Sequence, residues 1–322
     1  MTPWAGASAH TVDARRLTAL ALGTDRVAGE VVGAFQGAGV RAVLLKGAAI
    51  STWLYGDGAP RGYNDVDLLV APDRWPAAEA VLRDLGFDLA MPGTSPLEEA
   101  PHARAWARGA EVVDLHHTVW GVGVPPARAW ELLSAETQTL ALGGGHVEVL
   151  DFPARALHVA LHAAHNGAGG RGRKSLRDLA RAADRVPVDV WRQAASLARD
   201  LDADGAMAVG LRLHPATAHL ADTLSLPSRA PVAVTLQSTG APTLAVGLLI
   251  AARAPGVKAK VATAARRIVP TPACMRARYP IAARGWPGMA IAHVLRWASL
   301  ARQVPASVLA IGRALWSRAR WA

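Results

Sequence analysis

The chain has 322 residues and a mass of 33.6 kDa, with 51% hydrophobic and 19% charged residues, so it buries a sizeable core and is not a disordered polymer. The single cysteine, Cys274, excludes a disulfide framework and a Cys-rich zinc site and fits a reducing cytoplasm. The formal net charge of +10 admits anionic partners, while no window of about 20 residues is apolar and free of charge, so no membrane-spanning helix is predicted.

The N-terminus carries His10, Asp13, Arg15 and Arg16 before any apolar run and reads poorly as a signal peptide. Residues 12–38 are predicted as one or two helices, with Val27, Val31 and Phe35 spaced by four. Val40–Leu45 is a branched apolar run typical of a buried strand, ended by Gly47, and Ala48–Tyr55 follows as a helix. Gly56–Asn64 is turn chemistry, and Val66–Val70 is a second strand. Pro72–Leu85 reads as a helix with Gly86 as its stop, and Phe87–Ala90 as a short strand. His102–Ala107 and Glu111–Val119 form a hairpin about Arg108-Gly109-Ala110. After Pro125 the chain is predicted to be mostly helical. Asp151 caps a helix over Phe152–His165, Asn166–Lys174 is a basic loop, and Ser175–Arg185 is the next helix. Beyond it, several short helices are expected between prolines from Pro231 to Pro305. The fold class is therefore α+β, a small mixed sheet flanked by helices and followed by a mostly helical C-terminal region. The expected domains are a core over 1–124, a helical domain over 125–222 that completes the active-site cleft, and a basic tail over 223–322.

The sharpest local feature is Asn64-Asp65-Val66-Asp67-Leu68-Leu69-Val70. Side chains alternate along a strand, so Asp65 and Asp67 face the same way. Two adjacent carboxylates repel unless a cation sits between them, although Asp-x-Asp alone is more often a pair of solvated acids at a strand edge. Upstream, Leu44-Leu45-Lys46-Gly47 ends a strand at a helix start. Glycine there lets a phosphate approach the backbone, and Lys46 adds positive charge. Arg61, four residues before Asp65 in a glycine-rich turn, has the reach to contact a phosphate. Downstream, Asp114 lies between apolar neighbours in Val112-Val113-Asp114-Leu115-His116. A lone acid in that setting is costly to bury unless it is paired or bound to metal. Three carboxylates beside a glycine turn suit two-metal phosphoryl transfer.

With Lys46-Gly47, Arg61, Asp65-x-Asp67 and Val113-Asp114-Leu115-His116 in place, the sequence resembles the DNA polymerase beta-type nucleotidyltransferase superfamily, in particular its uncharacterised nucleotidyltransferase branch, over roughly residues 25–185. The resemblance implies magnesium-dependent transfer of a nucleoside monophosphate from a nucleoside triphosphate, ATP being the expected donor, to a hydroxyl-type acceptor on a small molecule, peptide or protein. It implies that Asp65 and Asp67 bind two Mg2+ ions. Asp114 would bind one of them and favour deprotonation of the acceptor, and Gly47 would face the triphosphate. It also implies a histidine and an aspartate in the following helices, here His162 and Asp178. His116 has the chemistry to hydrogen-bond a phosphate. The turn departs from the superfamily's Gly-Ser or Gly-Gly: Ala48 follows Gly47, and the first hydroxyl is Ser51. The alternative reading is a catalytically inactive accessory protein that binds nucleotide or a partner through the same pocket.

His158, His162 and His165 share one face of the helix after Asp151. A zinc site there lacks an obvious fourth ligand. Charge is unevenly placed: all 25 acids lie at or before Asp222, while residues 223–322 carry 14 of the 35 Lys and Arg. Trp286, Trp297, Trp316 and Trp321 stand among Arg284, Arg296, Arg302, Arg313, Arg318 and Arg320. The readings open here are helices packed on the core, a peripheral contact with an anionic membrane or acidic partner, and nucleic acid, which no motif supports. The expected location is cytoplasmic, including the inner membrane surface.

Overall fold

The computed structural model describes residues 5–91, 102–167, 172–254 and 256–319. They divide into two compact units. The first comprises the described residues of 1–90, 102–158 and 181–201, and the second those of 91–101, 159–180 and 202–322.

The first unit is built on α1 (Ala5–Gly37), β1 (Ala42–Leu44), α2 (Ala48–Leu54), β2 (Val66–Val70), α3 (Trp75–Asp84), β3 (Asp88–Leu89), β4 (Ala103–Arg108), β5 (Glu111–His116), α4 (Pro126–Leu133), β6 (Thr137–Leu142) and β7 (Gly145–Leu150). The seven strands form one sheet in the order β3-β4-β5-β2-β1-β7-β6. β2 pairs β5, and β1 pairs β7, in parallel; the other neighbours are antiparallel. The mixed sheet predicted from the sequence is therefore present.

Alternation along the central strands gives the sheet two different faces. Leu44, Val66, Leu68, Val70, Val113, Leu115, Trp106, Val147 and Val149 enter one apolar core with Val27, Val31 and Phe35 of α1 and Leu82 of α3. The spacing of four that predicted α1 is the stripe it buries here. On the opposite side of β2 and β5 the alternate positions are Asp67, Asp114 and His116. One face thus holds the unit together, and the other is left for chemistry.

The hairpin β6–β7 departs from the sequence reading, which placed mostly helix after Pro125. Its strands are weakly apolar (Gln138, Thr139, Glu148), yet Val147 and Val149 alternate inward. The turn at Gly143 and Gly144 takes positive φ at both residues, as hairpin turns require. A Cβ at Gly143 would stand 2.5 Å from the Asp25 carbonyl oxygen of α1, and one at Gly29 of α1 would stand 3.0 Å from the Gly143 Cα. The helix and the turn pack glycine to glycine. Gly143→Ala is expected to cost about 3 kcal/mol, combining a left-handed backbone with a backbone clash, read from urea denaturation.

Across this edge of the sheet Arg41, just before β1, spans to Glu148 on β7 with Nη2–Oε2 at 2.6 Å. Thr137 Oγ1 donates to the same carboxylate at 2.7 Å. The Arg41 hydrogen bond holds Glu148 below its ordinary value of 4.5, against a smaller upward push from burial. A depressed carboxylate stabilises the fold above its unfolded-state value and loses that contribution as pH falls through the folded one. The stability gap between wild type and Glu148→Gln is therefore expected to be open at pH 7 and to close below about pH 4.5, measured by urea denaturation across that range.

α5 (Phe152–Asn166) starts where predicted, with Asp151 Oδ1 accepting from Ala154 N at 2.9 Å. α6 (Arg173–Arg185) and α7 (Val188–Asp200) follow.

The second unit is helical: the later turns of α5, the start of α6, then α8 (Asp204–Arg212), α9 (Pro215–Thr223), α10 (Val232–Ser238), α11 (Thr243–Arg253), α12 (Gly256–Ile268), α13 (Pro272–Arg278) and α14 (Gly285–Ala319). α14 corrects the expectation of short helices cut at every proline. Pro287 falls in its first turn, where no N–H is needed, and Pro305 lies inside it. Arg320 and Trp321 lie outside the described residues, as does the side chain of Arg318. Among the described residues, no helix is long and apolar enough to cross a membrane.

Candidate active site

The site grows from two registers. β1 and β2 run antiparallel, and Leu45 N donates to the Asp67 carbonyl oxygen at 3.0 Å, carrying the pairing one step past β1. This brings Lys46 beside Asp67, with Nζ 2.6 Å from Oδ1. β2 and β5 run parallel, with Asp67 opposite Asp114. On the far side of β5, β4 sets Ala105 opposite Asp114 and Ala103 opposite His116. Two methyl side chains leave the acid and the imidazole room.

Asp67, Asp114 and His116 form a cluster whose ligand atoms all lie within 4.8 Å of one another. His116 Nε2 is 3.0 Å from Asp67 Oδ1. Asp67 is 1% exposed, and its Oδ2 is buried with no hydrogen-bond partner among the described residues. Burial pushes the Asp67 carboxyl up, but the Lys46 ammonium and His116 outweigh it and hold it far below the usual carboxylate range. Asp114 behaves in the opposite way: burial and then the Asp67 charge raise it above its ordinary value. Burial opposes the charge on Lys46, and Asp67, followed by Asp65 and Asp114, raises it above the ordinary lysine value.

Asp65 stands one residue before β2, half-buried and outside that close cluster. Its charge reaches both Lys46 and Asp114. Gly47 has φ +62° and ψ −120°, conformations open to glycine. A Cβ there would meet the Tyr63 ring at 3.3 Å. Tyr63 is fixed in turn, its hydroxyl donating to Asp25 Oδ1 at 2.8 Å. Arg61 is buried, and its Nη1 donates to the Gly47 carbonyl oxygen at 3.2 Å. It braces the turn from behind. The loop that carries Arg61 is anchored at Asp57 by Arg181 (2.9 Å) and Arg185 (2.8 Å).

His158 is a site residue that the sequence reading did not select. Buried on α5, it lies within electrostatic reach of Lys46, Asp67, His116 and Arg61. Burial, reinforced by the Lys46 cation, pushes it down to about 3, so its imidazole is neutral. The shared helix face of His158, His162 and His165 carried the signal, but spacing alone does not say which of the three meets the sheet. His162 and Asp178 belong to the second unit. There Asn166 Nδ2 is 2.9 Å from His162 Nε2 and donates to Ser175 Oγ at 2.7 Å, and Asp178 is 2% exposed.

The cluster fits a hard divalent cation. Two carboxylates and an imidazole converge, and one buried carboxylate oxygen lacks a donor among the described residues. Lys46 already neutralises one side of Asp67 and leaves Oδ2 open.

A family model described as uncharacterised nucleotidyltransferase matches residues 13–218, well over half of the chain. The chain belongs to that family. The matched span contains the whole sheet and every residue of the acidic cluster. Two solved structures are similar to this nucleotidyltransferase family member at low scores. One is the solution structure of the antibiotic-resistance factor ANT(2'')-Ia, with a TM-score of 0.41 and 17% identity over 56% of this chain and 92% of that one. The other is an antigenic nucleotidyltransferase-like protein from Paracoccidioides brasiliensis, with a TM-score of 0.35 and 17% identity over 58% and 91%. No curated protein matches the chain. Membership rests on the family match.

Proposed function

We propose that this family member transfers a nucleoside monophosphate from a nucleoside triphosphate, ATP being the expected donor, to a hydroxyl-type acceptor. The observation that carries the reading is the register of β2 against β5. It sets Asp67 beside Asp114, with a donor-free oxygen on Asp67, on the sheet face opposite the core.

Asp67 and Asp114, with Asp65 and His116 beside them, would hold the divalent metal, which supplies charge neutralisation to the triphosphate and lowers the cost of ionising the acceptor. The chain's own residues do the rest. Lys46 places a fixed positive charge at the strand end, paired with Asp67 at rest and within reach of a phosphate. Gly47 keeps the turn free of a side chain, and Arg61 fixes the turn's carbonyl so that its shape is set before substrate arrives. Asp114, opposite Asp67 across the parallel strands, would favour deprotonation of an acceptor hydroxyl. Neutral His158 supports the floor without adding charge. Incubation of the full chain with labelled triphosphates and magnesium tests the reading. The inactive accessory-protein reading draws on the Lys46 contact, since an internal cation already satisfies half of Asp67. It predicts nucleotide binding without incorporation.

A peripheral contact with an anionic membrane is proposed for α14. Trp286 is 81% exposed and Trp316 58%, and Val308 and Leu309 lie open along the same helix. Arg302 and Arg313 are exposed there and no acid follows Asp222. The full chain is expected to co-sediment with phosphatidylglycerol vesicles, and Trp286→Ser with Trp316→Ser to reduce the pelleted fraction by about half or more. Equal pelleting of both proteins contradicts the contact.

A further inference from the structure

The second unit contains a cavity of about 1150 Å3 that the nucleotidyl-transfer reading does not use. Its wall is apolar along Leu244, Leu248 and Leu300, and cationic at Arg267, Arg278 and Arg296. Among the described residues, no Asp or Glu lines it. The Nε atoms of Arg267 and Arg296 are both buried and both without a hydrogen-bond partner among the described residues. Arg296 Nη2 donates to the Arg267 backbone carbonyl oxygen, and the Arg296 charge reaches the Arg267 guanidinium. Burial, and then the Arg296 charge, lower Arg267 from the ordinary arginine value. Two half-buried guanidinium groups, each with a buried and unpartnered Nε, face one cavity and repel unless an anion joins them. Residues 223–322 contain no acid to serve. An anion that joins them comes from elsewhere in the chain or from a bound ligand.

Space for it is built in. Gly247 on α11 faces Arg267 of α12, and a Cβ there would stand 3.2 Å from the Arg267 Cδ. Glycine at that position lets the arginine lie along the helix. Gln303 is held by Thr243 Oγ1 at 2.9 Å and by Leu244 N at 3.2 Å, fixing α14 against α11 at the cavity wall. Guanidinium pairs recognise phosphate or carboxylate, and the adjoining leucine wall suits a hydrocarbon body.

We propose that this cavity binds an anionic amphiphile, with a phosphate or carboxylate head between Arg267 and Arg296 and an apolar body against Leu244 and Leu248. The site is separate from the acidic cluster in its residues and its charge. A membrane lipid and a soluble acyl or prenyl phosphate share this chemistry.

Calorimetric titration of the full chain with monomeric decyl phosphate tests it. One molecule is expected to bind per chain, and Arg267→Gln to weaken binding by about tenfold or more, the loss of a charge-assisted contact. The Arg267 guanidinium makes no hydrogen bond to a described residue, so this variant removes no internal contact of that kind. Leu248→Gln, at a position already 48% exposed, is expected to weaken decyl phosphate while leaving inorganic phosphate unchanged. Competition by phosphatidylglycerol vesicles assigns the ligand to the membrane, and its absence assigns it to the soluble pool. Decyl phosphate that fails to saturate, or that binds wild type and Arg267→Gln equally, overturns the proposal. So does equal affinity for inorganic phosphate and decyl phosphate, which would leave the apolar wall without a role.

Discussion

Replacing Asp67 with Asn is expected to lower nucleotide incorporation by about a thousandfold or more, the loss of some 4 kcal/mol of metal-assisted stabilisation in the transition state. Asp114→Asn is expected to act on the same scale. The two carboxylates sit opposite each other on parallel strands and share one cluster with His116, so a cation held by one is held by both. Their combined loss should fall well short of the product of the single losses, because groups that act as a unit are not additive. Circular dichroism of each variant keeps a folding defect apart from a chemical one. Incorporation that persists at the wild-type rate in either variant removes the catalytic assignment.

The second large effect is on stability and arises from the same contact. Lys46 Nζ and Asp67 Oδ1 are 2.6 Å apart, with the Asp67 side chain 1% exposed and that of Lys46 20%. Breaking a buried pair from one side leaves an uncompensated charge. Asp67→Asn is expected to cost about 3 kcal/mol, at the lower end for such pairs because Lys46 keeps some access to water. Asp65 and Asp114 also soften the loss, since both carry charge within reach of Lys46. Lys46→Met leaves Asp67 with His116 and is expected to cost a similar amount. The double variant removes both charges and should recover about 2 kcal/mol of the summed loss. Urea denaturation of the four proteins closes the cycle. Strict additivity would mean that the pair is not coupled, and that Lys46 is not the cation that depresses Asp67.

The double variant separates the two effects, loss of activity and loss of stability. A residue that only stabilises the fold would lose activity in step with stability. Lys46→Met/Asp67→Asn should regain stability and remain inactive. The Lys46–Asp67 pair would then be identified as one kept for chemistry rather than for stability alone.

Much of this arrangement was legible in the sequence. The runs Ala42–Leu45 and Val66–Val70 are buried throughout, and such runs announce themselves. The pair of strands about Gly109 carried its own turn. Asp67 could be singled out with Asp65 as alternating acids of one strand, and Asp114 because an acid among Val and Leu needs a reason to be there. What the sequence withheld depends on register and on contacts between distant segments. That Lys46 reaches Asp67 follows from the step by which β1 pairs β2. That His158 lies within electrostatic reach of the acidic cluster depends on how the first turns of α5 lie against the sheet. The hairpin β6–β7 was hidden because Gln138, Thr139 and Glu148 dilute its apolar content. Its strongest sign, the three glycines at 143–145, reads equally well as a loop. The continuous α14 was hidden for a different reason: Pro287 and Pro305 look like stops, yet one lies where a helix needs no donor and the other is carried inside a long helix packed against α10 and α11.

The most direct measurement is the position of a metal in crystals of the wild-type chain grown with Mn2+ and a non-hydrolysable triphosphate analogue, read from anomalous scattering. The account predicts a manganese peak between the carboxylates of Asp67 and Asp114, with the triphosphate against the turn at Gly47. Nucleotide bound elsewhere, or bound with no metal at those two carboxylates, would contradict it.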